Sequence, residues 1–241
     1  MSSIPAPERC PDGAMTVLET KLNELRDRLF VMAAITEEML SGSMKALVER
    51  DPDLARRIIE LDEPKVNRYE IDIEDAAIEL IALYQPEATN LRTITMVIKI
   101  NNDLERIGDH AVNIAESAQF LMDRPAVKPL VDLPKMAEQA ISMLKDSLDA
   151  FCRKDVELAR RVCERDSVVD GLKRDINAEL AQVMAKNPAT IERALKLMTV
   201  ALNLERVADL ATNIAEDAIY MAMGQVIKHR AGGTEENLSA R

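Results

Sequence analysis

LERIGDHAVNIAE, residues 104–116, returns as LERVADLATNIAE at residues 204–216. Nine of the thirteen positions are identical at a fixed offset of 100 residues, which marks a duplicated supersecondary unit. On an α-helix each residue turns about 100°, so Asp109, Asn113 and Glu116 all fall within about 80° of Glu105. Leu104, Ile107, Ala111, Ile114 and Ala118 gather on the opposite side as an apolar stripe. Packing accounts for the repeated apolar positions. It does not account for the repeated Glu, Asp, Asn and Glu outside the stripe. Like charges four apart destabilise a helix by about 0.2–0.5 kcal/mol, so Glu105 with Asp109, and Glu205 with Asp209, imply something that holds them together.

The pattern extends outward from this motif. Thr16 with Glu19 forms a capping box, after which Leu18, Leu22, Leu25, Leu29, Met32, Thr36 and Met39 recur at alternating four and three. That heptad seam predicts a long helix in an antiparallel bundle. Asp51-Pro52 reads as an N-cap followed by the first helical position. A second helix is expected over 53–84, kinked or split by Pro64, and Gln85-Pro86 ends it. A third helix, 88–122, carries the first copy of the motif. The stretch DRPAVKP at 123–129 reads as a linker. The second half then restarts near Pro134 with Ile141, Leu144, Leu148 and Phe151, and continues with helices over 155–186 and 190–223. DLARRI at 53–58 is echoed by ELARRV at 157–162, and Gln85-Pro86 by Asn187-Pro188. The fold expected is all-α, two similar three-helix bundles: 15–124 and 134–225, joined by 125–133, with a disordered lead-in at 1–14 and a flexible tail at 226–241. A pseudo-twofold and a translation both fit the duplication.

Composition narrows the class. Only 2% of the residues are aromatic against 47% hydrophobic, so the core must be Leu, Ile, Val, Met and Ala. Net charge of −11 argues against nucleic acid or an anionic membrane as the main partner. Three cysteines, Cys10, Cys152 and Cys163, form no CxxC, which fits a reduced cytosolic compartment. Cys163 reads as a small hydrophobe on a helix. No apolar run reaches the roughly 18 residues needed to span a bilayer, and the N-terminus carries no basic-then-apolar signal.

An antiparallel hairpin about Pro86 sets Glu105 and Asp109 opposite Asn67 and Glu63. A hairpin about Pro188 sets Glu205 and Asp209 near Asp166 and Asp170. Converging carboxylates repel unless protonated or bridged by cations. All-oxygen donors select hard ions such as Mg²⁺, Mn²⁺, Ca²⁺ or oxidised iron. The bland alternative is a set of solvated helix faces. His110 is matched by Leu210 and reads as a surface residue. Asn113 and Asn213 read as outer hydrogen-bonders to the acids or as ordinary polar positions. Arg106 and Arg206 read as local charge balance.

These residues closely resemble the PhoU family of phosphate-transport regulators: the ERIGD and ERVAD twins, the Gln85-Pro86 turn and the duplicated three-helix pattern, over about residues 15–225. The resemblance implies a non-enzymatic cytoplasmic negative regulator of phosphate uptake. Such a protein acts between the ATPase of a phosphate ABC transporter and the phosphate-sensing histidine kinase of a two-component system. It touches the membrane only through partners and assembles as a homodimer or higher oligomer. It further implies metal-ion clusters, of iron or of Mg, Mn or Ca, held by Glu63, Asn67, Glu105 and Asp109 in the first half and by Asp166, Asp170, Glu205 and Asp209 in the second. Two departures stand out. Asn67 occupies a carboxylate position, and Ala208 replaces Gly108, limiting close backbone approach there. Two rivals are a passive acidic scaffold for basic partners and a di-metal carboxylate enzyme. The latter needs Glu-xxx-His turns, which His110 and His229 do not supply.

Overall fold

Thr16 opens the first helix, α1 (Val17–Glu49), through both halves of the expected capping box. Its hydroxyl accepts from the Glu19 N–H at 3.2 Å, and the Glu19 carboxylate accepts from the Thr16 N–H at 2.8 Å. The computed structural model describes residues 16–130 and 132–223. The lead-in at 1–14 and the tail at 226–241 lie outside them. Leu22, Leu25, Leu29, Met32, Thr36 and Met39 of the seam are buried, and the Thr36 hydroxyl donates to the Met32 carbonyl at 3.0 Å. That bond inside its own helix satisfies the hydroxyl without water. Arg50, in the left-handed conformation with φ of 58°, stops the helix.

Asp51 then accepts from the N–H groups of Asp53 and Leu54 and caps α2 (Pro52–Arg57). A π turn, Ile58–Asp62, joins α2 to α3 (Glu63–Tyr84) without leaving helical backbone, and the Glu63 N–H reaches the Ile58 carbonyl. The three pieces form one rod. Pro64 falls in the first turn of α3, just past the wide turn, where its missing N–H and its ring are accommodated. The π turn also keeps the halves in phase. Ala55 and Ile58 match Ala159 and Val162, 104 residues later, whereas the buried Val66, Ile73 and Ala77 match Val169, Ile176 and Leu180, 103 later. The first half holds one extra residue here. Absorbed as a bulge, it leaves the face after it unrotated; carried in a regular helix, it would turn that face by about 100°.

Gln85 ends α3 with φ of 44°, and α4 (Ala88–Met122) follows. The second half repeats the plan with α5 (Asp132–Arg153), α6 (Val156–Lys186), a 3₁₀ turn (Pro188–Thr190) and α7 (Ile191–Met223). Lys154, φ 55°, takes the place of Arg50, and Asp155 caps α6 as Asp51 caps α2. The α5 helix starts two residues before the expected Pro134. Proline in a first turn lacks only a donor that would be idle there.

The expected linker is pinned rather than loose. Val127 and Leu130 pack against the core. Arg50 donates to the Met122 carbonyl at 3.2 Å, Arg193 to the Pro125 carbonyl at 2.6 Å, and Lys128 pairs with Glu179 and Asp132.

Helices α4 and α7, the two motif carriers, lie against each other at the centre. Helices α1 and α3 flank α4, and α5 and α6 flank α7. Down the central seam Arg92 stacks over Tyr220, Lys99 pairs with Asp217 at 3.1 Å, His110 meets Asn203, and Lys196 lies over Phe120. Rising numbers on one helix meet falling numbers on the other, so the pair is antiparallel. A translation would have made the copies parallel, so the halves are related by a pseudo-twofold. The buried core is aliphatic with Phe151 as its one fully buried aromatic among the described residues. No described helix is long and apolar enough to cross a membrane.

Candidate functional site

The apolar stripe of each motif faces its bundle. Leu104, Ile107, Ala111, Ile114 and Ala118 are fully buried, and so are Leu204, Val207, Ala211 and Ile214. A helix rotated this way turns Glu105 and Asp109 toward α3, and Glu205 and Asp209 toward α6. Gly108 and Ala208 serve this rotation equally well. A methyl at 108 would lie 3.4 Å from a Val66 methyl, which is ordinary contact, so glycine is not required for the approach.

In the first half, Asn67 donates to Glu63 Oε1 at 2.6 Å, with both residues on α3 and half-buried. Burial, then the charges of Asp109, Glu70 and Glu63, push the Glu105 carboxyl above its ordinary value, against a smaller pull from Arg106. The four expected residues are thus brought to one face, and a fifth joins them. Glu70 lies one turn beyond Asn67, and its main-chain carbonyl accepts from the Asn101 side chain at 2.9 Å. Its place on the face was legible as Glu63 plus seven. Asn101, only 1% exposed and one turn before Glu105, keeps its Oδ1 without a partner. Arg106 forms no ion pair with Glu105 or Asp109, its ion-pair partner being Asp103 at 4.0 Å.

The second half brings Asp166, Asp170, Glu205 and Asp209 to the matching face. Burial first, then Asp209, Asp170 and Glu205, push the Asp166 carboxyl up. Burial and Glu205 push Asp209 up, partly offset by Arg206. Two cations stand among these acids. Lys173 Nζ lies 3.0 Å from Glu205 Oε1, and Arg206 lies 3.0 Å from Asp209 and 3.5 Å from Glu205. Arg206 is the local charge balance expected of it. Lys173 was missed, although it occupies the position of Glu70 at the 103-residue spacing.

The donor chemistry can be tested against a hard cation half by half. The first-half face offers carboxylate and amide oxygens and holds like charges that repel, which suits such an ion. The second-half face already contains an ammonium in contact with one of its would-be ligands, and does not suit it. Among the described residues no three His, Cys, Asp or Glu side chains are grouped closely enough to hold a metal ion as they stand.

His110 is not a surface residue. It is half-buried between the halves, where its Nδ1 donates to Asn203 Oδ1 at 2.8 Å. The Asn203 amide nitrogen is committed to the Thr199 carbonyl, which leaves its oxygen to accept and places a proton on Nδ1. Asn113 is exposed and Asn213 half-buried, one turn past the acids. Cys163 packs as a small hydrophobe, its thiol pushed up to about 11 by burial and by nearby acids, Glu216 foremost. Cys152 and Cys163 are both free thiols.

Comparison with known proteins agrees with this architecture. The PhoU domain model matches the chain twice, at residues 29–118 and 133–218. A phosphate-specific transport system accessory protein PhoU homolog of Aquifex aeolicus is 40% identical over 210 residues, covering 87% of this chain and 95% of that protein. The phosphate-specific transport system accessory protein PhoU homolog 2 of Thermotoga maritima is 37% identical over 212 residues, covering 88% of this chain and 90% of that protein. The crystal structure of PhoU from Pseudomonas aeruginosa superposes with a TM-score of 0.83 at 32% identity, over 86% of this chain and 99% of that one. The two matched domains, the relatives spanned almost end to end and the shared fold establish that this chain belongs to the PhoU family.

Proposed function

We propose that this protein is an accessory regulator of a phosphate-specific transport system. It lowers phosphate uptake and starvation signalling by acting between the ATPase of a phosphate ABC transporter and the sensor kinase of a two-component system. It works in the cytoplasm, as a homodimer or larger assembly, and without catalysing a reaction. The relatives are described as accessory proteins of phosphate-specific transport, and a duplicated all-helical chain with an outward acidic face on each half suits docking rather than turnover. The observation that carries the reading is that Asp109, Glu70 and Glu63 lie close enough to Glu105, across α3 and α4, to push its carboxyl up. These charges cost stability and serve no core packing.

In this reading the first-half face is the metal-holding one. Glu63, Asn67, Glu70, Glu105 and Asp109 would hold a hard cation such as Mn²⁺, Mg²⁺, Ca²⁺ or oxidised iron. Such an ion would supply positive charge to a negative surface. The test is capture of the transporter ATPase and the kinase from phosphate-replete and phosphate-starved cells, by wild type and by Glu105→Lys/Asp109→Lys. Capture that responds to phosphate and is lost in the variant is expected. No capture in either condition overturns the regulatory reading. Metal analysis of protein purified without a tag tests the metal half, and no metal in excess of the variant would remove it.

A further inference from the structure

The two acidic faces are copies with one reversal of charge. Lys173 stands in α6 where Glu70 stands in α3, at the same 103-residue spacing that relates Glu63 to Asp166 and Asn67 to Asp170. Its ammonium is 3.0 Å from Glu205 Oε1, and the two side chains are only 24% and 14% exposed. Arg206 reaches Glu205 and Asp209 from the other edge. Four second-half carboxylates therefore share two covalently attached cations. In the first half the equivalent of Lys173 adds a negative charge, and the equivalent arginine leans to Asp103.

We infer that Lys173 is a built-in counter-ion that closes the second-half face to metal, so the duplicated protein has one metal-holding face and not two. Of the two Glu205 oxygens, Oε1 is held by Lys173, while Oε2 is buried without a hydrogen bond and lies 3.5 Å from Arg206 Nε, so an ion at roughly 2.0–2.6 Å from either would sit beside a cation already in place. To admit it at Oε1, Lys173 must leave a largely covered position and lose its partner, and to admit it at Oε2, Arg206 must give way. Nothing comparable guards Glu105. The statement about the second half stands on these contacts alone, and the count of one rests on the metal reading above.

The experiment uses the full chain, purified without a tag, stripped with chelator and titrated with Mn²⁺ as the probe. Bound manganese is counted by mass spectrometry and calorimetry. In wild type, Glu105→Gln should remove most of the bound manganese, and Asp166→Asn should leave it unchanged. Lys173→Glu, which copies Glu70, should about double the load, and the added portion should vanish with Asp209→Asn. An unchanged load in Lys173→Glu, or wild-type manganese that falls as much with Asp166→Asn as with Glu105→Gln, overturns the inference. Thermal unfolding in chelator separates the two layers. Lys173→Met should lower Tm by several degrees, and Glu70→Gln should not. If wild type takes no manganese while Lys173→Met still falls, the metal reading fails and the counter-ion role stands. If Lys173→Met leaves Tm unchanged, the counter-ion role fails whatever the manganese count.

Discussion

The first-half and second-half acidic faces share a helix pair, a motif and a spacing, yet they are different electrostatic objects. Around Glu105 the charged neighbours are Asp109, Glu70 and Glu63, with Arg106 pulling the other way but forming its ion pair with Asp103. Around Glu205 the neighbours include Lys173 and Arg206, each in contact. Beneath them the apolar stripes pack alike, Leu104 and Leu204 both fully buried. Duplication has thus kept the scaffold fixed and let the surface charge diverge. The core tolerates little change of volume, whereas a half-covered face accepts a swap of Glu for Lys.

If that division is right, Leu104→Ala and Leu204→Ala should be equally severe, each costing about 2–5 kcal/mol of unfolding free energy, as measured by urea denaturation. A large inequality would break the equivalence of the two scaffolds. The next largest effect should differ in sign between the halves. In chelator, Lys173→Met should destabilise by about 1–3 kcal/mol because it strips a partly buried carboxylate of its charged partner. Glu70→Gln should be neutral or stabilising by up to about 1 kcal/mol, since it removes a like charge. The same denaturation curves check both.

A pH series sharpens the comparison. Glu105 and Asp166 both have carboxyls raised by burial and by like-charged neighbours. Between their ordinary and raised values the folded chain binds more protons than the unfolded one, so this share of stability increases as pH falls toward the carboxylate range. It is lost again as pH rises through the raised values. Urea midpoints measured between neutral and mildly acidic pH should show that slope, with Glu105→Gln and Asp166→Asn each flattening it. The smallest effect concerns the matched left-handed residues. Lys154→Gly should stabilise by about 0.5 kcal/mol by relieving a strained backbone position. Arg50→Gly should gain less, because Arg50 also donates to the Met122 carbonyl. A differential Tm measurement would resolve the pair.

Much of the fold was legible in the chain because local signals agree with one another. The Thr16–Glu19 box, Asp51-Pro52, the Pro86 and Pro188 turns and the seam from Leu22 to Met39 each bracket a helix through backbone chemistry that operates within a few residues. The Pro64 interruption was also legible as a disturbance. Its form was not, because a π turn and a kink satisfy the same missing donor, and only packing on α4 favours the one that keeps Val66 facing inward. Glu63, Asn67, Glu105 and Asp109 could be set on one face by counting turns. Glu70 and Lys173 escaped notice because each lies one turn beyond the residues that sit level with the motif acids across the hairpin. His110 escaped because nothing local shows that α7 covers it.

The sequence by itself determined that the chain is a duplicated set of amphipathic helices, since turn angle and hydrogen bonding act along the chain. It likewise determined which side of each motif helix is apolar. The tertiary structure alone decided that the halves meet antiparallel through α4 and α7, and that Lys173 lies against Glu205 while Arg106 pairs with Asp103. Those outcomes depend on which side chains meet across helices, where charge and contact act through space over a few ångströms and residue spacing carries no record of them.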